Sequence, residues 1–64
     1  MTQKELLYVE DAIGHEQSII DICNESINNL QDDYLVSFMK REIRKHTNMY
    51  DLLLQLLENE ANEW

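Results

Sequence analysis

Proline is absent and glycine occurs once, as Gly14, so almost nothing in the chain interrupts a helix strongly. A single cysteine, Cys23, excludes an internal disulfide. No apolar run approaches the roughly 18 to 20 residues that cross a bilayer, and no basic segment followed by an apolar one opens the chain. A membrane partner and an export signal are therefore not expected, and the lone thiol fits a reducing, cytoplasmic compartment. Basic residues are scarce, five against thirteen acidic ones, and a formal net charge of −8 repels a phosphate backbone, so nucleic acid is not an expected partner. Glycine loops that cradle phosphate, paired-cysteine motifs and nucleophile elbows are missing as well, so no catalytic residues, no cofactor and no enzyme activity are expected.

What remains is a short chain with a strong helical pattern. At 64 residues it buries only about 60% of the surface it exposes when unfolded, and chains of this size recover stability through disulfides, a metal or oligomerisation. Thr2 and Glu5 have the spacing of a capping box, in which hydroxyl and carboxylate satisfy amides left open at a helix start. The segment Asn28-Asn29-Leu30-Gln31-Asp32-Asp33 gathers side chains that compete for backbone hydrogen bonds, and Asn tolerates the left-handed conformation that ends helices. Asp32 or Asp33 suits the start of a second helix. The pattern predicts one all-α unit over 1–64: helix 1 at about 3–29, a turn at about 30–32 and helix 2 at about 33–62, folded as an antiparallel hairpin.

Along helix 1, Leu6, Val9, Ile13, Glu16, Ile20, Cys23, Ile27 and Leu30 step by three and four, the spacing of a packed seam. A second series, Tyr8, Ala12, His15, Ile19, Ile22 and Ser26, has the same spacing on another face. Helix 2 carries a broader stripe: Leu35, Val36, Phe38, Met39, Ile43, His46, Met49, Tyr50, Leu52, Leu53, Leu56 and Leu57, with Ala61 and Trp64 at its end. One partner helix cannot cover that width, which predicts a homodimer, two hairpins closing into a four-helix bundle. The seam of core and dimer is expected to use Leu6, Val9, Ile13 and Ile20 against Leu35, Met39, Ile43, Leu53 and Leu57.

Folding about residue 31 sets residue i level with residue 62 − i, so Glu16 faces His46, and Glu42 lies one turn before His46. A carboxylate and an imidazole across a seam satisfy each other and hold register without further function. The alternative is an ion bound between facing helices by Glu16, Glu42 and His46. Such sites use Glu-x-x-His, whereas Ile43 stands three before His46 and Glu42 four before, about 100° away around the helix. Elsewhere, Lys40, Arg41, Arg44 and Lys45 form a basic patch expected to pair with Asp21 or Asp51. Cys23 reads as a small core residue, and His15 as exposed or interfacial. Gly14 costs about 1 kcal/mol against alanine and reads as a close approach of a neighbouring backbone or as tolerated drift.

Tyr8-Val9-Glu10-Asp11-Ala12-Ile13-Gly14-His15-Glu16-Gln17 resembles the Y-x-E-D-A-L-x-x-E-Q start of the small ferritin-like proteins grouped as the spore coat protein F family of endospore-forming Firmicutes. Leu30-Gln31-Asp32 followed by Leu35, and Lys45-His46 followed by Tyr50 and Leu53, are similar to that family's turn and second helix. The resemblance implies a ferritin-like hairpin that dimerises into a bundle, with a place in the spore coat or its assembly and coat components as partners. It also implies that Glu16 and His46 match the superfamily's helix ligands while Ile43 replaces a ligand glutamate. The function expected is a structural interaction protein; the alternative is an iron- or manganese-binding bundle protein. Acidic hairpin phosphatases of sporulation carry Ser-Gln-Glu-Leu-Asp on their second helix, and Ser37-Phe38-Met39-Lys40-Arg41 departs from it.

Overall fold

The computed structural model describes residues 1–62, which form two helices, α1 (Gln3–Asn29) and α2 (Asp33–Asn62), and no strand. Trp64 lies outside the described residues. The capping box forms as its spacing predicts: the Glu5 amide donates to Thr2 Oγ1 at 3.1 Å and the Thr2 amide donates to Glu5 Oε1 at 2.7 Å. α2 starts in the same way, with the Leu35 amide donating to Asp32 Oδ1 at 3.0 Å. Asn29 ends α1, and its Nδ2 donates to the Glu25 carbonyl at 3.0 Å, a side-chain bond back onto the last turn of the helix. Here the expectation of a left-handed asparagine is corrected. The next residue, Leu30, is extended at φ −93° and ψ 139°, and no described residue has positive φ. Three residues, 30–32, are enough to reverse the chain when an extended residue follows the helix directly.

The helices pack side by side into an antiparallel hairpin with extents of 48 × 15 × 12 Å. The α1 seam is the expected one: Leu6, Val9, Ile13, Glu16, Ile20, Ile27 and Leu30 are half-buried and Cys23 is buried. The α2 seam is Val36, Met39, Ile43, His46, Tyr50, Leu53, Leu57 and Glu60, all half-buried. Leu35 is not in it; its side chain is 43% exposed, and Val36 takes the inward position. Either residue satisfies the apolar pattern, and the 100° turn between neighbours decides which one faces α1. Each α2 seam position lies thirty residues after its α1 counterpart, as do the two caps, Thr2 and Asp32, so the hairpin has an internal two-fold character. Cys23 is the one buried residue among those described, so the hairpin by itself encloses almost no core.

Candidate functional site

At mid-height the two seams bring their polar residues together. His46, from α2, and Glu16, from α1, form a part-buried hydrogen bond between Nδ1 and Oε2, the contact expected from folding the chain about residue 31. The opposite ring nitrogen, Nε2, lies 3.7 Å from Glu42 Oε2, one helical turn earlier on α2. That carboxylate oxygen is buried and has no hydrogen-bond partner. A neutral imidazole carries one N–H and an imidazolium two, so only the protonated ring has a donor for each glutamate. The arrangement locks the helices in register and leaves one oxygen of Glu42 unsatisfied within the hairpin.

The donor set does not fit a metal in the single chain. Both ring nitrogens are directed at carboxylates rather than at a shared vacant point, Ile43 occupies the position from which a third helical ligand would converge, and no group of three or more His, Cys, Asp or Glu among the described residues is placed to hold an ion.

The second feature is a surface. One residue before each seam position lies an outer row, turned about 100° away from the partner helix. On α2 this row holds Leu35, Phe38, Met49, Leu52 and Leu56, which are 43%, 41%, 47%, 59% and 45% exposed. Glu42 and Lys45 interrupt it at mid-height. On α1 the corresponding row holds Tyr8, Ala12, His15, Ile19 and Ile22. A two-fold perpendicular to two antiparallel helices carries one helix onto the other without changing faces. The two outer rows, which share the same offset from their seams, therefore open on the same side of the hairpin. The other side is mostly polar, with Asp11, Ser18 and Glu25 from α1 and Arg44, Asn48, Asp51 and Glu58 from α2, all exposed; Leu7 and the half-buried Leu54 are large apolar exceptions there, and Tyr34, 73% exposed, also lies outside the oily row. The hairpin thus has one oily face and one acidic, hydrated face.

The area agrees with this division. The hairpin exposes 5086 Å², whereas a compact monomer of its mass exposes roughly 4,300 Å², an excess of about 750 Å². One partner in a standard protein interface contributes about 800 Å².

Other sequence-level expectations divide. Cys23 is buried in the seam and His15 is exposed. The basic patch does not pair with Asp21 or Asp51. Instead Lys45 Nζ lies 4.0 Å from Glu42, and the Arg41 guanidinium sits 5.9 Å from the centre of the Phe38 ring, a cation–π contact at the edge of the oily face. The close approach considered for Gly14 is absent: a Cβ built there meets nothing within 4 Å. A shallow apolar groove between Leu6, Leu57 and Ala61 marks the open end, where Glu60 Oε1 lies 2.5 Å from the Met1 amino group. None of the described helices is long and apolar enough to cross a membrane. Comparison with protein-family models, with curated proteins and with solved structures gives no match.

Proposed function

We propose that this chain is a structural interaction protein without catalytic activity, whose hairpins associate in pairs through their oily faces into a ferritin-like four-helix bundle. The acidic faces remain outside the pair and dock onto other proteins, coat components in the reading that the motif resemblance supports. The observation that carries the proposal is the outer row of α2, five large apolar side chains each at least 41% exposed on a hairpin with one buried residue among those described. A second copy would cover this surface, since the excess is close to what one subunit gives to an ordinary interface.

Sedimentation equilibrium at micromolar concentration tests the pairing. The expected mass is twice the 7.7 kDa of the chain. Replacing Phe38 and Leu52 with glutamate places four charges in the paired face and abolishes the dimer. A fully helical monomer of the unaltered chain at that concentration overturns the proposal. Mass spectrometry of coat extracts from spores of the source organism checks the cellular assignment, and presence in vegetative cytosol alone would count against it.

A further inference from the structure

The outer rows also bear on how a second copy lies, an inference that rests on the self-association reading above. In a square bundle each helix meets two neighbours about a right angle apart, which suits two rows about 100° apart. Two arrangements make every neighbour antiparallel. With both turns at one end of the bundle, α1 packs on the partner's α2. With the turns at opposite ends, α1 packs on the partner's α1 and α2 on the partner's α2.

We propose the second arrangement, about a two-fold axis crossing the bundle beside His15 and Lys45. The α2 outer row is close to a palindrome about Lys45: Leu35 meets the partner's Leu56, Phe38 meets the partner's Leu52, and Glu42 meets the partner's Met49. The α1 row behaves alike about His15, with Tyr8 opposite the partner's Ile22 and Ala12 opposite the partner's Ile19, small against large. Glu5 then falls opposite the partner's Ser26, polar on polar. One axis serves both rows, because His15 and Lys45 differ in level by about two residues, about 3 Å.

With the turns together the same rows match poorly. Glu5 then meets the partner's Leu56, Ile19 meets the partner's Glu42 and Ser26 meets the partner's Leu35, three polar groups set against apolar ones per chain where the opposed arrangement has one. Each such pairing desolvates a polar group without a partner. The remaining mismatch, Glu42 on Met49, has a remedy in place. The partner's Lys45 lies within one turn of that Met49, so its ammonium can reach the carboxylate oxygen that has only the longer approaches of His46 and Lys45, and no hydrogen bond, within its own hairpin. The two Lys45 chains meet near the axis, each flanked by both copies of Glu42, which offsets their mutual repulsion.

The turns report the arrangement. A spin label on Gln31→Cys in a Cys23→Ala background, read by double electron–electron resonance, is expected to give a separation of 40 Å or more, since the hairpin is 48 Å long and the opposed turns lie at its two ends. A separation below about 25 Å, the span of neighbouring bundle helices plus labels, overturns the orientation while leaving self-association intact. Absence of any inter-label distance together with a monomer mass overturns both. Lys45→Cys in the natural background, where Cys23 is only 7% exposed, gives a second reading that does not depend on altering the core. Mild oxidation is expected to yield a disulfide-linked dimer through the axis. Failure to crosslink in a sample that sediments as a dimer also overturns the orientation, because residues 45 on diagonal helices are too far apart to bond.

Discussion

Gly14→Ala is expected to stabilise the hairpin. Gly14 lies in the interior of α1, is exposed, and has no positive φ that an L side chain would find strained. A Cβ at this position meets nothing within 4 Å, so no neighbour has to move. The Ser18 hydroxyl donates to the Gly14 carbonyl at 3.1 Å, a bond that the new methyl leaves alone. What remains is the backbone freedom that glycine loses on entering a helix, about 0.8 to 1 kcal/mol per chain relative to alanine. For a domain of this size that corresponds to a rise of about 4 to 8 °C in the thermal midpoint. Circular dichroism at 222 nm, run on parent and variant at two concentrations a decade apart, measures it. Gly14 follows the seam residue Ile13, on the opposite side from the outer row, so the gain should be the same at both concentrations. An unchanged or lowered midpoint would refute the reasoning, because it would require a neighbour against Gly14 that the hairpin does not contain.

Three further outcomes follow from the same geometry. Glu16→Ala and His46→Ala should each cost about 1 to 3 kcal/mol in urea unfolding, since each strands a partner that is less than a quarter exposed, whereas Glu16→Leu with His46→Leu should cost less than either alone; additive losses would show that the pair does not act as a unit. The Glu5 carboxyl is held below its ordinary 4.5 by the Thr2 amide and then the Thr2 hydroxyl, so its contribution is complete above that value and fades as pH falls through the lowered one. The gap in midpoint between the parent and Glu5→Gln should therefore narrow from pH 7 to pH 3, and a constant gap would remove the capping carboxylate as its source. Cys23→Ser places a hydroxyl in the one buried position and should destabilise by about 1 to 3 kcal/mol where Cys23→Ala costs less; the reverse order would mean that the serine finds a partner there.

The helices were legible because their signals are local. Thr2 and Glu5 announce a start through a spacing that only a helix satisfies, and the α1 seam can be read because its inward residues are mostly flanked by polar ones on one side. The Glu16–His46 contact was legible too, since a short turn between long helices leaves one level at which the two residues can meet. The inward face of α2 was harder to read. There apolar residues come in adjacent pairs, Leu35-Val36, Phe38-Met39, Leu52-Leu53 and Leu56-Leu57, and a pattern of types cannot distinguish two positions 100° apart when both are oily. The partners of the basic patch were hidden for another reason. Long, exposed chains such as Lys45 and Arg41 settle on whatever their own helix offers, Glu42 and the Phe38 ring, rather than on a residue chosen by sequence distance.

Those adjacent pairs are themselves informative about assembly. A helix with a single neighbour needs one apolar row, and a second row beside it costs solubility while contributing nothing to the hairpin. Both helices carry the second row, at the same offset and with the same polar interruption: His15 precedes Glu16 on α1, and Lys45 precedes His46 on α2. The interruptions fall together at mid-height, where Glu42 is oriented toward His46 with one oxygen still unsatisfied. A monomer would have no use for that coincidence, since the inner pair is already complete through Glu16 and His46. In a pair of hairpins it aligns one polar layer through the whole bundle, and sliding either hairpin by a turn would bury charged groups against leucine. In the proposed pair the oily rows would supply attraction without direction and the polar layer would supply register, which would favour a specific dimer over open-ended association.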